Sequence, residues 1–364
     1  MRYALVVAGT LFAGVTAREA PKPVRREPGH GGLVVLIAID QFRGSYFERF
    51  GSQFTGGLRR FQTGSALFPH GLQDHAITET APGHATMLSG RDPAQTGIVS
   101  NNRGVPDPDA PLVGTAAGPG ASPRRFVGTT LYDWMVAVDS DTRVLSVSRK
   151  DRGAILPVGR SKGDVYWYAN GNFVTSRWYA SALPEWVGEW NDRRGVERLA
   201  GTVWQPLRPA AGYSEPDTLW FENGGEDVAF PHPLPSSTDS ILARITGYPW
   251  MDSLTLDFGL EGVKRLRLGA RDRPDLLVVS LSTTDAIGHA FGPDSKELHD
   301  QILRLDRWLG DFLDSLATLV PSDRTVFALT SDHGVRSIPE YLAGVRHQRA
   351  GRIWLGGLAR SATQ

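Results

Sequence analysis

The sequence predicts an α/β fold, a mostly parallel sheet flanked by helices and carrying an aromatic-rich insertion. Three observations predict it. The runs "GLVVLIAID" (Gly32 to Asp40), "PDLLVVSLSTTD" (Pro274 to Asp285) and "RTVFALTSDHG" (Arg324 to Gly334) have the unbroken apolar character of strands buried on both faces. Amphipathic stretches lie between them. In Ser295 to Leu319, the residues Leu298, Ile302, Leu303, Leu305, Leu309, Phe312 and Leu313 recur at helical spacing. Asp40, Asp285 and the pair Asp332-His333 stand where the runs end, and open α/β sheets bind ligands beyond the carboxyl ends of their strands.

Taken in order, the chain opens with Arg2 and an apolar run from Ala4 to about Val15, followed by the small residues Val15-Thr16-Ala17. Residues 1–17 read as a signal peptide, because the run is too short to cross a bilayer. The expected location is periplasmic or secreted, with no stable membrane span after cleavage. Residues 18–31 are rich in Pro and charge and read as a linker. Residues 32–160 read as the first part of a catalytic α/β core. In "TETAPGHATMLSG" (Thr78 to Gly90), Pro82 suits the first turn of a helix and Thr80 falls near its N-cap. A hydroxyl there either caps the helix or sits in a field that favours negative charge. Residues 161–251 are rich in Trp and Tyr ("DVYWYANGNF", "SRWYASALPEWVGEWN") with weak periodicity, and read as an insertion covering the site. Residues 252–347 read as the second part of the core and 348–364 as a tail.

Composition excludes several classes. The 364 residues hold 39 Lys plus Arg and 39 Asp plus Glu, so the formal net charge is zero and nucleic acid is not an expected partner. There is no cysteine, so disulfides, thiolate metal sites and a lipidated cysteine anchor are all ruled out. The chemistry-bearing residues form a constellation. Asp40 ends one run, Asp332 and His333 are adjacent at the end of another, and Asp285 and His289 are spaced to share one side of a helical turn. Hard oxygen and borderline nitrogen donors of this kind suit two neighbouring Zn²⁺ ions, whereas carboxylates alone would favour Mg²⁺ or Ca²⁺.

The segments "VVLIAIDQFRGSYFERF", "TETAPGHATMLSGRDPAQTGIVSNN", "SVSRKDRGAILPVGRSKGDVYWY", "STTDAIGHAFGP" and "LTSDHGVRSIPE" occur in this order from about Gly32 to Glu340. As a set they make the chain resemble the alkaline phosphatase superfamily, and within it the exported threonine-nucleophile phosphate-monoesterases of Gram-negative bacteria. The resemblance implies an alkaline phosphatase-like α/β/α sandwich. It implies that Thr80 is the nucleophile and a ligand of one zinc ion, with Asp40, Asp332 and His333 completing that shell. Asp285 and His289 would bind the second ion, Asn101 would hydrogen-bond a phosphoryl oxygen, and Lys150 and Arg152 would clamp the other oxygens. A phosphothreonine would form and be hydrolysed. The Lys-x-Arg pair, which superfamily diesterases lack, favours small-molecule phosphate monoesters as substrates. His84 reads as local support for the nucleophile loop.

The chain departs from the family pattern at one point. The family's second zinc takes a further histidine from a late motif, and His347 in "GVRHQRAGR" reads instead as a basic-loop residue. The sequence is therefore expected to be C-terminally truncated, its second metal site lacking one His and its activity reduced or absent. Two other readings stand beside the monoesterase: a phosphodiesterase or nucleotide pyrophosphatase of the same superfamily, and an inactive fragment that binds metal or phosphate. A sulfatase is disfavoured, since Thr80 cannot become a formylglycine. The oligomeric state is not legible.

Overall fold

An apolar run that buries both of its faces needs paired strands on either side and helices above and below. A computed structural model, which describes residues 32–115, 118–193 and 195–353, has this arrangement for the runs from Gly32 and Pro274, whereas the run from Arg324, expected to be buried on both faces, forms a strand at the sheet edge with no buried residue, because among the described residues only one strand pairs with it. The leader and linker expected over 1–31, and the tail from 354 on, lie outside the described residues.

In chain order the strands are β1 (Leu33–Ile39), β2 (Leu112–Val113), β3 (Val144–Ser148), β4 (Asp164–Ala169), β5 (Asn172–Ser176), β6 (Val203–Trp204), β7 (His232–Pro233), β8 (Asp275–Leu281) and β9 (Thr325–Thr330). The first helices are α1 (Ser45–Phe50), α2 (Gly57–Gly64), α3 (Thr80–Met87), α4 (Pro93–Thr96), α5 (Leu131–Val138) and α6 (Asp151–Ile155). Then follow α7 (Glu185–Arg193), α8 (Thr238–Arg244), α9 (Trp250–Leu266), α10 (Thr283–Ala290), α11 (Lys296–Leu319) and α12 (Pro339–Gly344). Seven strands form one sheet in the order β2-β5-β4-β3-β8-β1-β9, and β6 and β7 form a separate antiparallel ribbon. From β4 across to β9 every pairing is parallel, while β5 runs antiparallel to β4 and β2 antiparallel to β5.

Alternate residues of the central strands feed two cores. Val35, Ile37, Ile39 and Val279 join Phe258 of α9 and Leu309 of α11 on one side. Leu36, Val278 and Val165 join Ala81 and Ala85 of α3 and Ala154 of α6 on the other. The α/β/α sandwich is the layered result. Along α11 the apolar stripe read from the sequence is buried, and Ser295 caps the helix by accepting from the Leu298 N–H at 3.1 Å.

Two boundaries differ from expectation. The "PDLLVVSLSTTD" run does not stay extended to Asp285: β8 ends at Leu281 and Asp285 lies in the first turn of α10. Thr283 starts that helix, its N–H and Oγ1 donating to Asp252 Oδ1 at 3.1 and 2.8 Å, so a side chain from α9 overrides the β-branched local preference. The second difference concerns the region 161–251, read as an insertion from its first residue. Its opening aromatic run forms β4 and β5 inside the main sheet, because Tyr166, Tyr168 and Phe173 on one face and Val165, Trp167 and Val174 on the other complete the two cores. Chain outside the sheet begins after Ser176. It turns its aromatic residues inward: Trp204 is buried against Phe230 and Phe291, and its Nε1 donates to Asp300 Oδ2 at 2.7 Å. Among the described residues no helix is long and apolar enough to cross a membrane.

Candidate active site

Adjacent parallel strands deliver their carboxyl ends to one place. Beyond the ends of the neighbours β3, β8, β1 and β9 stand Lys150, Asp285 in the first turn of α10, Asp40, and Asp332-His333 respectively. Helix α3 adds Thr80 as its first residue, after the extended Glu79. The helix can approach because Gly83 has no side chain: a Cβ there would lie 2.1 Å from the Asp332 carbonyl oxygen.

Thr80 is buried, and its Oγ1 is 3.1 Å from Lys150 Nζ. Lys150 Nζ also donates to Asp285 Oδ2 at 2.7 Å and to Asp40 Oδ2. The second Asp40 oxygen, Oδ1, and Asp332 Oδ2 are both buried without a hydrogen-bond partner. His333 Nε2 lies 3.4 Å from the first and 3.7 Å from the second. Asp40 Oδ1, buried without a partner, and Asp332 Oδ2, which faces His84 Nδ1 at 3.3 Å, converge on one imidazole nitrogen, an arrangement of donors suited to a cation. Asp40, Asp285 and His333 each offer a ligand atom within 4.8 Å of the others, the one such trio among the described residues. The donor set is oxygen and nitrogen without sulfur, and it fits a divalent metal ion.

Charge distribution follows the packing. Burial and the nearby Asp332 push the Asp40 carboxyl up to about 7, against the pull of Lys150. Burial also opposes the charge on Asp285, yet His289 and Lys150 hold its carboxyl below the usual range. Burial opposes the charge on Asp332 as well, yet His84 and His333 together hold its carboxyl low. His84 is fully buried, its Nδ1 2.9 Å from the Thr80 carbonyl and 3.3 Å from Asp332 Oδ2, and its Nε2 2.8 Å from Ser280 Oγ. It ties α3 to β8 and to the β9 exit.

The remaining residues expected at the site fall in two groups. His289 shares a face of α10 with Asp285, its Nε2 3.2 Å from Asp285 Oδ1, and its ring is largely exposed. Asn101 is held against the start of α3: its Oδ1 accepts from the Ala81 N–H at 2.8 Å and its N–H donates to Glu79 Oε2 at 2.7 Å. With Oδ1 engaged, its Nδ2 is the group it can offer a ligand. Arg152 stands apart from the cluster, on α6, with Nη1 3.5 Å from Asp151. His347 is exposed beyond α12.

Sequence reasoning missed Gln41, Ser280, Ser331 and Asp252. Gln41 bonds Asp332 and Asp285, Ser331 Oγ accepts from the Phe42 N–H at 3.0 Å, and Asp252 anchors the start of α10. Only Gln41 carried a local signal, its place directly after Asp40.

Comparisons with known proteins agree with this architecture. Residues 34–350 match the family described as type I phosphodiesterase / nucleotide pyrophosphatase. The alkaline phosphatase PhoV of Synechococcus elongatus is 34% identical over 330 residues, which is 85% of this chain and 60% of that protein. The alkaline phosphatase PafA of Elizabethkingia meningoseptica is 32% identical over 353 residues, 91% of this chain and 63% of its own length. The crystal structure of wild-type alkaline phosphatase PafA superposes with a TM-score of 0.82 at 29% identity, covering 92% of this chain and 68% of that one. This chain thus spans about 60% of the length of the curated relatives it matches.

Proposed function

The chain belongs to the type I phosphodiesterase / nucleotide pyrophosphatase family, and on that premise we propose that it hydrolyses phosphate monoesters through a phosphothreonine at Thr80, with zinc as cofactor. The observation that carries this reading is the position of Thr80 Oγ1. It is buried at the start of α3, 3.1 Å from the Lys150 ammonium, beside the converging Asp40, Asp332, His333 and Asp285. A threonine hydroxyl is a poor nucleophile near neutral pH and needs its negative form stabilised.

Asp40, Asp332 and His333 would hold one ion next to Thr80, and Asp285 with His289 a second. When bound, the two ions lower the pKa of the Thr80 hydroxyl and offset charge on the departing alkoxide. The chain's own groups do the rest. The amino-terminal end of α3 and Lys150 Nζ favour negative charge on Thr80 Oγ1. Asn101 Nδ2 and the Arg152 guanidinium hold oxygens of the transferring phosphoryl group, whose charge is spread over three oxygens. A monoester carries one more unesterified oxygen than a diester, which suits this supply of donors. The leader read at residues 1–17 supports a reaction outside the cytoplasm.

The test is hydrolysis of p-nitrophenyl phosphate by the purified chain with added Zn²⁺, beside Thr80→Ala. Zinc-dependent turnover that falls on the order of 10³-fold or more in the variant is expected. Equal turnover in both proteins, or none in either, overturns the reading. Preference for bis-p-nitrophenyl phosphate overturns the monoester reading.

A further inference from the structure

Gln41 is the first residue after Asp40, and its backbone is left-handed, with φ 65°. That region is disfavoured for a side chain with a Cβ and costs about 1 kcal/mol or more. Gln41 is also buried, at 3% exposure. A strained, buried polar residue persists only where its surroundings determine it from several sides. Here two bonds do so. The Gln41 N–H donates to Asp332 Oδ1 at 3.1 Å, and its Nε2 donates to Asp285 Oδ1 at 2.9 Å.

The sheet order explains the reach. Strand β1 lies between β9 and β8. A left-handed turn at its end aims the backbone N–H at the residue after β9 and swings the side chain across to the helix after β8. Asp332 belongs to the first proposed ligand set and Asp285 to the second. The amide orientation is set by charge, because the opposite one would point a carbonyl oxygen at the Asp285 carboxylate. Helix α10 closes on this amide: a Cβ at Gly288 would lie 2.1 Å from Gln41 Oε1.

We infer that Gln41 is a positioning residue that holds the two metal-ligand sets in register, fixing Asp285 against Asp332. This rests on the two-ion reading proposed above. Partners of metal-ligating carboxylates orient them, and losing one costs on the order of 10- to 100-fold in metal affinity.

The test uses Gln41→Asn and Gln41→Glu in the whole chain, measuring zinc uptake by chelator competition together with thermal unfolding. Asn tolerates the left-handed backbone better than Gln but its amide is one methylene too short to reach Asp285. Gln41→Glu keeps the length and turns the donor into a carboxylate. The expected result is wild-type folding of Gln41→Asn, first-ion affinity within about twofold, and second-ion affinity down at least about tenfold, with a larger loss in Gln41→Glu. Wild-type second-ion affinity in both variants, with or without lost stability, overturns the inference. So does a wild-type chain that takes up one ion. A wild-type chain that takes up two ions yet lacks turnover sinks the phosphatase reading instead, and the Gln41 comparison still decides its own question.

Discussion

At the scale of single residues, burial decides which charges are costly. Glu222 is almost fully buried, and burial followed by repulsion from Glu297 pushes its carboxyl from an ordinary 4.5 up to about 8. One oxygen of each of these two carboxyls lacks a hydrogen-bond partner. The folded chain therefore keeps a proton on Glu222 over a range in which the unfolded chain has lost it. Protons bound by the folded form exceed those bound by the unfolded form between pH 4.5 and about 8, so stability falls as pH rises through that window. Glu222→Gln removes this slope. Urea midpoints at pH 5 and pH 8.5 should show the variant gaining on wild type at the higher pH, and parallel midpoints would remove Glu222 as the cause. Residue identity offers no hint of this, because Glu222 and Glu297 are 75 positions apart and meet only through folding. The same holds for the left-handed Gln41: glutamine does not announce a positive φ as glycine or asparagine does. Asp40, Thr80, Asp285, His289, Asp332 and His333 could be picked out as candidates because chemistry-bearing types stood at recognisable strand and helix ends.

At the scale of elements, glycines show where helices press against the sheet. Gly83 and Gly188 both lie inside helices, α3 and α7, yet alanine should act oppositely at the two. At Gly83 the added Cβ meets the Asp332 carbonyl oxygen at 2.1 Å, so α3 must move away from β9's exit. Gly83→Ala should destabilise by about 1–3 kcal/mol and weaken zinc uptake, since Thr80 and Asp332 separate. At Gly188 nothing lies within 4 Å of the added Cβ. Gly188→Ala should stabilise by about 0.5–1 kcal/mol through helix propensity and a more restricted unfolded chain. Urea unfolding of the pair checks both, and a stabilised Gly83→Ala would refute the close packing of α3. Strand and helix type were readable for the long, periodic segments β1, β8, β9 and α11, but the apolar run of β9 does not mark a strand buried on both faces: it lies at the sheet edge and none of its residues is buried. Short β4 and β5 were not recognised as sheet strands. Their aromatic residues bury on both faces, a pattern that lacks the alternation of a half-exposed strand.

At the scale of the whole molecule, the sheet ends differently on its two sides. Among the described residues β2 pairs with β5 alone, antiparallel, at one edge, and β9 with β1 alone, parallel, at the other. Its outward row of backbone groups is accompanied by Val326 at 61% exposure. A groove of about 640 Å³ alongside is lined by Phe61, Leu67, Phe68, Phe327 and Leu329, and Phe68 is 83% exposed. A long edge with apolar side chains is a template for pairing with another chain. The 364-residue chain should therefore self-associate as its concentration rises, and Val326→Lys should suppress this in sedimentation velocity. A wild type that stays monomeric throughout would show that the groove is no association surface.

By itself the sequence determined the fold class, the long strands and helices, and the set of donors at the ends of the sheet, because hydrophobic periodicity and residue chemistry are local properties. Tertiary structure decided the rest. It placed Lys150 among Asp40, Asp285 and Thr80, chose β1 as the strand between β8 and β9, forced Gln41 into a left-handed turn to serve both neighbours, and drew the Trp204 segment onto α11. Each of these depends on distance in space between groups far apart in the chain, and that distance is set by how the layers pack and by the cost of leaving buried polar groups unpaired.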